Sequence, residues 1–273
     1  DAPATVSGLS LKRTLDKGLQ LRWDAVSTGA HNGYVDPASV TYKVVRQPDA
    51  KTMSESTTAT VLYDNVESGE LAKYWYEVTP SAYGKSGETL ASNKVVVGPG
   101  KATPYSENFE KQEAFDYFTV LDANNDSKTW SYNEYSQTAE YAGDATVKAD
   151  DWLILPPLKL NKSGYYKVTF NVRCNSQNKH LLAVALGNLP EAENMTTSVM
   201  PTTEFSTRFE TQKVEAKFLV PSDGDYYLGF HLLSDALMHS FEIQDISVEQ
   251  YTTTDTPAAV ADLAVKPAAK GEL

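Results

Sequence analysis

Alternation of apolar and polar residues dominates the first hundred residues of the chain. It is clearest in LQLRW (residues 19–23), VTYKVVR (40–46) and YWYEV (74–78). Apolar side chains at every second position predict β-strands with one buried face, and the Gly-, Ser- and Asn-rich segments between them predict turns. No segment of this region has the 3.6-residue period of a helix. We therefore expect an all-β sandwich over residues 1–98.

A second region of alternation covers residues 106–251. The segment YKVTFNVRC (166–174) places its apolar side chains on one face and ends at the single cysteine, Cys174. Other segments alternate in the same way: WLILPPLKL, HLLAVAL, VEAKFLV, YYLGFHL and FEIQDISV. Only residues 189–195 have a helical pattern, which is short. The region predicts an antiparallel jelly-roll β-sandwich, and a Pro- and Gly-rich linker at residues 99–105 separates it from the first sandwich.

The start of the chain is echoed near its end. DAPATVSGLSLK (residues 1–12) and DTPAAVADLAVK (255–266) share Asp, Pro, Ala, Val, Leu and Lys at matching positions. Repeats of this kind are typical of modular proteins. We therefore expect a fragment of a longer chain in which residues 252–273 begin a further module like the first. Chance similarity between two Pro- and Ala-rich segments is the alternative.

Composition narrows the choice of partners. Hydrophobic residues make up 41% of the 273 residues and aromatic residues 11%, which is enough for a packed core. The formal net charge is −12, whereas nucleic acids and anionic membrane surfaces attract clustered Lys and Arg. No apolar run approaches the ~20 residues of a membrane span. We expect no nucleic-acid binding, no direct membrane insertion, and a soluble exported protein.

The segment LDANNDSKTW carries oxygen-bearing side chains at alternate positions, namely Asp122, Asn124 and Asp126. Alternate carboxylate and amide oxygens are how loops present ligands to a hard cation such as calcium. The segment is not an EF-hand, because that loop requires Gly and Glu where this chain has Ser127 and Asn133. The alternative is an ordinary polar turn, since Asn and Asp also cap and bend the chain.

Further carboxylates lie in the strands that begin and end the second sandwich. Glu107 and Glu110 belong to its first predicted strand and Asp245 to its last, and such strands are often neighbours. Carboxylates that converge without Lys or Arg partners repel one another unless a divalent cation neutralises them. We therefore expect these side chains to lie close to the loop and to share a metal ion with it.

Aromatic residues in and after the loop predict a second kind of site. Trp130, Tyr132 and Tyr135 follow one another closely, and flat rings on the rim of a sandwich bind sugars by stacking against their apolar faces. The alternative is that part of the set packs inward, since Trp130 and Tyr132 share a face by alternation.

The first region resembles a fibronectin type III domain. The resemblance rests on a core Trp in an early strand, on Y-x-V-x-R at residues 42–46, and on Y-x-Y-x-V at residues 74–78 followed by G-x-S. Such domains are spacers or interaction platforms, and this one lacks the Arg-Gly-Asp triplet of integrin ligands.

Four motifs of the second region are ENFE (residues 107–110), DANND (122–126) followed by a Trp, DDWLILP (150–156) and IQDISV (243–248). Together they resemble the cleaved-adhesin or choice-of-anchor-J family, MAM-like jelly rolls of gingipain haemagglutinin-adhesin regions and related surface proteins. The resemblance implies a structural calcium ion, Ca2+. Its implied ligands are Asp122, Asn124 and Asp126 from the loop, Glu107 or Glu110 from the first strand, and Asp245 from the last.

No motif predicts catalysis, because the four histidines form no H-E-x-x-H and no G-x-S-x-G is present. We therefore expect a non-catalytic, calcium-stabilised adhesion module of a larger multidomain protein that is secreted or attached to the outer membrane at the cell surface. Its expected partners are a host or matrix protein or a glycan, besides further domains of its own chain. The alternative is a carbohydrate-binding accessory module of a secreted glycan- or protein-degrading system.

Overall fold

A computed structural model of the chain describes residues 1–16, 18–174, 179–236 and 239–252. The described part is almost entirely β-structure in antiparallel sheets, so the prediction of an all-β protein is confirmed. Within these ranges no helix is both long and apolar enough to cross a membrane. The further module predicted at residues 252–273 lies outside the described residues from residue 253 onward.

Two sheets form what we call the N-terminal sandwich. Its strands are β1 (Ser10–Thr14), β2 (Gly18–Arg22), β3 (Thr41–Gln47), β4 (Lys51–Thr57), β5 (Val61–Asp64), β6 (Ala72–Ala82), β7 (Lys85–Ser86), β8 (Leu90–Ala91) and β9 (Val95–Val97). One sheet has the order β1-β2-β5 and the other the order β4-β3-β6-β7, with β8 and β9 also paired to β6. The alternating apolar residues meet between the sheets, where Trp23 packs edge-on against Tyr42.

Two further sheets form what we call the C-terminal sandwich. Its elements are β10 (Tyr105–Glu107), α1 (Gln112–Phe115), β11 (Thr119–Asp122), β12 (Trp130–Asn133), β13 (Thr138–Tyr141), β14 (Asp151–Ile154), β15 (Leu158–Leu160), β16 (Tyr165–Cys174), β17 (His180–Gly187), β18 (Thr197–Phe205), β19 (Gln212–Leu219), β20 (Gly224–Leu232) and β21 (Phe241–Tyr251). One sheet has the order β12-β13-β21-β16-β19, with β10 also paired to β21. The other has the order β11-β14-β20-β17-β18, with β15 also paired to β20.

The two sheets of the C-terminal sandwich enclose one large core. Phe170 of β16 meets Phe230 of β20 edge-on at 4.8 Å between ring centroids, and Cys174 is fully buried in the same core. The short helical pattern at residues 189–195 forms a single 3-10 turn, Ala192–Asn194. None of the described strands pairs across the two sandwiches, and the pairing changes at the predicted linker.

The linker is held against the C-terminal sandwich like an additional strand. Lys101 N donates to Pro157 O at 2.7 Å, and Lys159 N donates to Lys101 O at 2.8 Å. Gly100 N donates to Asp225 Oδ2 at 3.0 Å. The backbone that leaves the N-terminal sandwich is therefore fixed along β15 rather than free in solvent.

The sandwiches also contact each other where β1 meets β20 and the segment after β17. Arg13 Nη1 donates to Tyr227 Oη at 2.7 Å, and Arg13 N donates to Glu191 Oε1 at 3.3 Å. Lys12 forms an ion pair with Glu193 at 3.6 Å. The outer face of the β14–β20–β17 sheet carries a small apolar cluster that consists of Trp152, Ile154, Ala185, Met195 and Tyr227. Arg13 thus contacts one member of this cluster.

Candidate functional site

The acidic loop, residues 122–127, is closed by the carboxylate of its first residue. Asp122 Oδ1 accepts from Asp126 N at 3.1 Å, and Asp122 Oδ2 accepts from Ser127 N at 2.8 Å. Asn125 and Ser127 have positive φ angles of 57° and 67°, the left-handed conformation that turns the chain sharply. The sequence folds this way because an Asp side chain readily accepts from backbone N–H groups a few residues ahead.

The other two predicted loop ligands are linked to each other. Asn124 Nδ2 donates to Asp126 Oδ2 and to Lys148 O, both at 2.8 Å, while Asp126 Oδ1 accepts from Lys128 N at 2.7 Å. The structure therefore brings Asp122, Asn124 and Asp126 together at the surface end of β11.

Beside the loop lies a buried carboxylate that the loop pattern does not include. Asp151 begins β14, opposite Asp122 in the β11–β14 register, and is 0% exposed. Its Oδ2 accepts from Asp150 N at 3.1 Å, whereas Oδ1 has no hydrogen-bond partner among the described residues. A buried ionised oxygen without a partner is costly. This side chain therefore requires either a proton or a cation.

The electrostatics of the group follow from this burial. Burial, together with the charges of Asp122 and Asp126, raises the pKa of Asp151 to about 6, while the nearby Thr129 hydroxyl offsets part of the effect. The hydroxyl of Tyr141 is also buried and lacks a partner among the described residues. Burial and the neighbouring carboxylates, that of Asp151 foremost, raise the pKa of Tyr141. Among the residues that the structure describes, no positively charged side chain lowers the pKa of Asp151.

The predicted strand carboxylates form a separate group. Glu107 ends β10 opposite Ile246, and Asp245 precedes that residue on β21. Asp245 has φ of 52° where the β16–β21 register shifts. Glu107 Oε1 accepts from Phe109 N at 2.7 Å, and Asp245 Oδ2 accepts from Asn171 Nδ2 at 2.8 Å.

Glu110 is exposed, and its Oε1 accepts from Asn108 Nδ2 at 2.9 Å. Across the described ranges, no hydrogen bond joins Glu107, Glu110 or Asp245 to the acidic loop. The same ranges contain no group of three or more His, Cys, Asp or Glu side chains already arranged to hold a metal ion. The six predicted ligands are thus divided between the loop and the β10–β21 edge, and metal binding stays a prediction.

Of the three aromatic residues predicted to bind a ligand, only Tyr135 is fully accessible. Trp130 is 3% exposed and packs edge-on against Tyr141 and Phe241, so it has no free face for a sugar and the role predicted for it is wrong. Tyr132 is half-buried against the same core. A ligand-binding role for Tyr135 stays a prediction.

Two of the histidines have partners within the C-terminal sandwich. His180 is buried beside Ser234 Oγ at 3.2 Å, and burial lowers its pKa to about 4. His231 Nε2 lies 2.6 Å from Asp150 Oδ1 and its ring stacks on Trp152 at 4.0 Å. Burial lowers the pKa of His231 more than the Asp150 carboxylate raises it. Both imidazoles are thus held by packing and hydrogen bonds as parts of the fold.

Asp151 is the residue that the sequence interpretation missed. It lies in the DDWLILP motif but is not among the predicted ligands. Its burial could have been predicted from the alternation of the strand. Asp151, Leu153 and Leu155 lie two positions apart, so their side chains are on the same face of β14 and its extension, and all three are fully buried. A carboxylate in phase with core leucines is the residue to examine first.

No protein-family model and no curated protein matches the chain. Solved structures match its fold at low identity. The K1 cleaved adhesin domain of Lys-gingipain from Porphyromonas gingivalis W83 is 18% identical with a TM-score of 0.45, over 55% of this chain and 99% of that domain. The K3 cleaved adhesin domain of the same protein is 16% identical with a TM-score of 0.43, over 53% and 97%.

The CBM22-1 xylan-binding domain from Paenibacillus barcinonensis Xyn10C is 13% identical with a TM-score of 0.40, over 55% of this chain and 95% of that domain. With identities below 25% and TM-scores below 0.5, these matches establish neither a family nor a function for this chain. Membership of the fibronectin type III and cleaved-adhesin families stays a prediction.

Proposed function

We propose that the chain is a non-catalytic binding module of a secreted or cell-surface protein, and that calcium bound at the acidic loop stabilises its C-terminal sandwich. The observation that supports calcium most directly is Asp151, fully buried with one unpartnered oxygen beside two further aspartates. Carboxylate, amide and hydroxyl oxygens are hard ligands, which favours calcium over a softer transition metal.

The proposed ligands are Asp122, Asn124, Asp126 and Asp151. The first three belong to a surface loop in which Asn124 is exposed and the two aspartates are half-exposed, so their side chains can reorient without disturbing the core. Asp151 cannot move in this way, because it is enclosed between the sheets. A bound cation supplies the countercharge that Asp151 lacks and ties the loop to β14.

A binding role is favoured over a catalytic one by the surroundings of the titratable groups. The His180 and His231 imidazoles are packed as parts of the fold, and the acidic loop lies on the surface with its oxygens bonded to its own backbone. We propose adhesion to a matrix protein or glycan, with the N-terminal sandwich as spacer or second contact surface.

The first experiment tests the cation. Thermal unfolding is followed in EDTA, in CaCl2 and in MgCl2 at equal ionic strength. Calcium is expected to raise the midpoint of the C-terminal sandwich, because a ligand at one hundred times its Kd stabilises the folded state by about 2.7 kcal/mol. Asp126→Asn is expected to reduce the shift, and Asp49→Asn, an exposed residue of the N-terminal sandwich, serves as the matched control. An unchanged midpoint contradicts the calcium site.

The second experiment tests the binding role. The chain is applied to immobilised matrix proteins and to a glycan array, in calcium and in EDTA. Saturable binding that falls in EDTA is expected, since removing the cation loosens the sandwich. Failure to bind any protein or glycan contradicts adhesion, even if calcium stabilises the fold.

Carbohydrate binding as an accessory module is the second candidate. It is favoured by Tyr135, whose fully exposed ring follows β12, and it predicts that Tyr135→Ala lowers binding on the glycan array. If that variant keeps full binding on the glycan array, Tyr135 is not part of the glycan-binding site.

A further inference from the structure

A cleft of about 870 Å³ lies between the two sandwiches. Its walls come from the β5–β6 connection of the N-terminal sandwich, from the linker, and from β10 and the α1 region of the C-terminal sandwich. Its principal lining residues are Glu70, Leu71, Lys101, Tyr105, Glu107 and Tyr117. Clefts of this size between domains are common positions for small-ligand sites. We call it the junction cleft.

The floor of the junction cleft is fixed. The linker that crosses it is hydrogen-bonded along β15 through Lys101 and anchored by Gly100 N to Asp225. Where the linker begins, Gly98 has φ of 146°, and a Cβ there would lie 2.4 Å from Glu70 O. Only glycine permits this close approach of the linker to the β5–β6 connection. The cleft is therefore largely pre-formed, which lowers the entropy cost of binding.

The two walls are joined by one lysine. Lys73 of β6 forms an ion pair with Asp116 at 3.0 Å, and its ammonium lies 5.6 Å from the centroid of the Tyr117 ring. Both partners follow α1 in the C-terminal sandwich. The contact positions Tyr117 at the rim and holds the N-terminal sandwich against it.

The cleft contains polar groups that the fold itself does not use. The hydroxyls of Tyr105 and Tyr117 make no hydrogen bond to any residue within the described ranges. Tyr105 and Glu107 lie two positions apart on β10 and therefore on the same side of that strand. One oxygen of Glu107 accepts from Phe109 N, which leaves the other available, and Glu70 is exposed at the opposite wall.

We propose that the junction cleft binds a short neutral oligosaccharide. Phenol rings stack against the apolar faces of sugars, phenol hydroxyls donate and accept, and carboxylates accept from neighbouring sugar hydroxyls in charge-assisted hydrogen bonds. The two glutamates outnumber Lys101 among the charged lining residues and, in a chain of net charge −12, disfavour sulfated or uronic acid glycans. This proposal deepens the binding role given above and rests on it, but not on the calcium site.

The test uses the whole chain on an array of neutral and acidic oligosaccharides, followed by titration calorimetry with the best neutral binder. Tyr117→Ala, which removes a stacking ring, and Glu70→Gln, which removes an acceptor charge, are each expected to weaken binding about tenfold. Tyr105→Phe removes only a hydroxyl and is expected to weaken binding less. Tyr34→Ala removes an exposed ring outside the cleft; it is the matched control and is expected to stay within about twofold of wild type.

Thermal unfolding identifies any variant that has lost its fold, and Glu70→Gln keeps the test valid if Tyr117→Ala disturbs the Lys73 contact. Binding that is lost with the cleft variants and retained by Tyr34→Ala supports the proposal. Binding of acidic glycans only, or unchanged binding by both cleft variants, overturns it. If matrix proteins bind and no neutral sugar does, the cleft proposal fails while the adhesion role stands; if nothing binds, both fail.

Discussion

Each sandwich buries an aspartate, and the two carboxylates differ in whether a positive charge lies beside them. Asp64 of the N-terminal sandwich accepts from Arg46 Nη1 at 2.8 Å and from Tyr76 Oη at 2.6 Å. Asp151 of the C-terminal sandwich has no basic partner, and its Oδ1 has no hydrogen bond within the described ranges. The first carboxylate is neutralised by the chain itself, whereas the second is neutralised only by a proton or an added cation. Burial alone therefore does not distinguish the two carboxylates; what distinguishes them is that Asp151 lacks a countercharge and needs a proton or a cation.

Replacing Asp64 should have the largest effect. Asp64→Ala leaves the Arg46 guanidinium with only its exposed partner Asp49 and leaves the Tyr76 hydroxyl without an acceptor. Breaking a buried pair costs about 3–5 kcal/mol, measured as the free energy of unfolding of the N-terminal sandwich in urea. The same loss is expected in calcium and in EDTA. A loss that depends on calcium contradicts the distinction between the two aspartates.

The next largest effect is a pH dependence of the metal-free protein. The pKa of Asp151 is raised from 3.8 to about 6, so the folded state binds a proton more tightly than the unfolded state. Stability is then highest below about pH 4 and falls as the pH rises to about 7, by about 3 kcal/mol for this group alone. Asp151→Asn in EDTA should lack this decline. If the stabilities of the variant and the wild type fall in parallel as the pH rises, Asp151 is not the source of the decline.

Each of the two aspartates has a buried tyrosine near it, Tyr76 near Asp64 and Tyr141 near Asp151, and these give a smaller contrast. Tyr76→Phe removes a hydrogen bond to a charged acceptor, which is worth about 1.5–3 kcal/mol. After the substitution, the Asp64 carboxylate keeps its hydrogen bond from Arg46 but loses the one from Tyr76. Urea unfolding at constant pH measures the loss, and a change close to zero shows that the hydroxyl contributes nothing to holding Asp64.

Tyr141→Phe should have the smallest effect in EDTA, because the hydroxyl it removes is buried and has no hydrogen-bond partner in the described part of the chain. Its removal is expected to be neutral or to stabilise the fold by up to about 1 kcal/mol. The measurement is urea unfolding in EDTA. A loss as large as that of Tyr76→Phe indicates that the Tyr141 hydroxyl has a partner in solution.

Most of the strand pattern was predictable, because inward-facing positions such as Tyr42 and Phe170 follow a strict period of two. The proposed ligands of the acidic loop could also be identified, as oxygen-bearing side chains at alternate positions. What the sequence did not reveal is which distant residues meet across strands. The pairing of Asp122 with Asp151 depends on the β11–β14 register, and the burial of Trp130 depends on Phe241, which lies more than a hundred positions away in the sequence.

The central claim is that calcium neutralises the buried Asp151 carboxylate, whereas the Asp64 carboxylate is neutralised by Arg46 and needs no metal ion. Its most direct test is a calcium titration followed by thermal unfolding of the wild type, Asp151→Asn and Tyr76→Phe at pH 7.5. The account predicts that calcium raises the unfolding midpoint of the C-terminal sandwich in the wild type and equally in Tyr76→Phe, and that Asp151→Asn loses most of the shift. An equal calcium shift in Asp151→Asn, or no shift in the wild type, would contradict it.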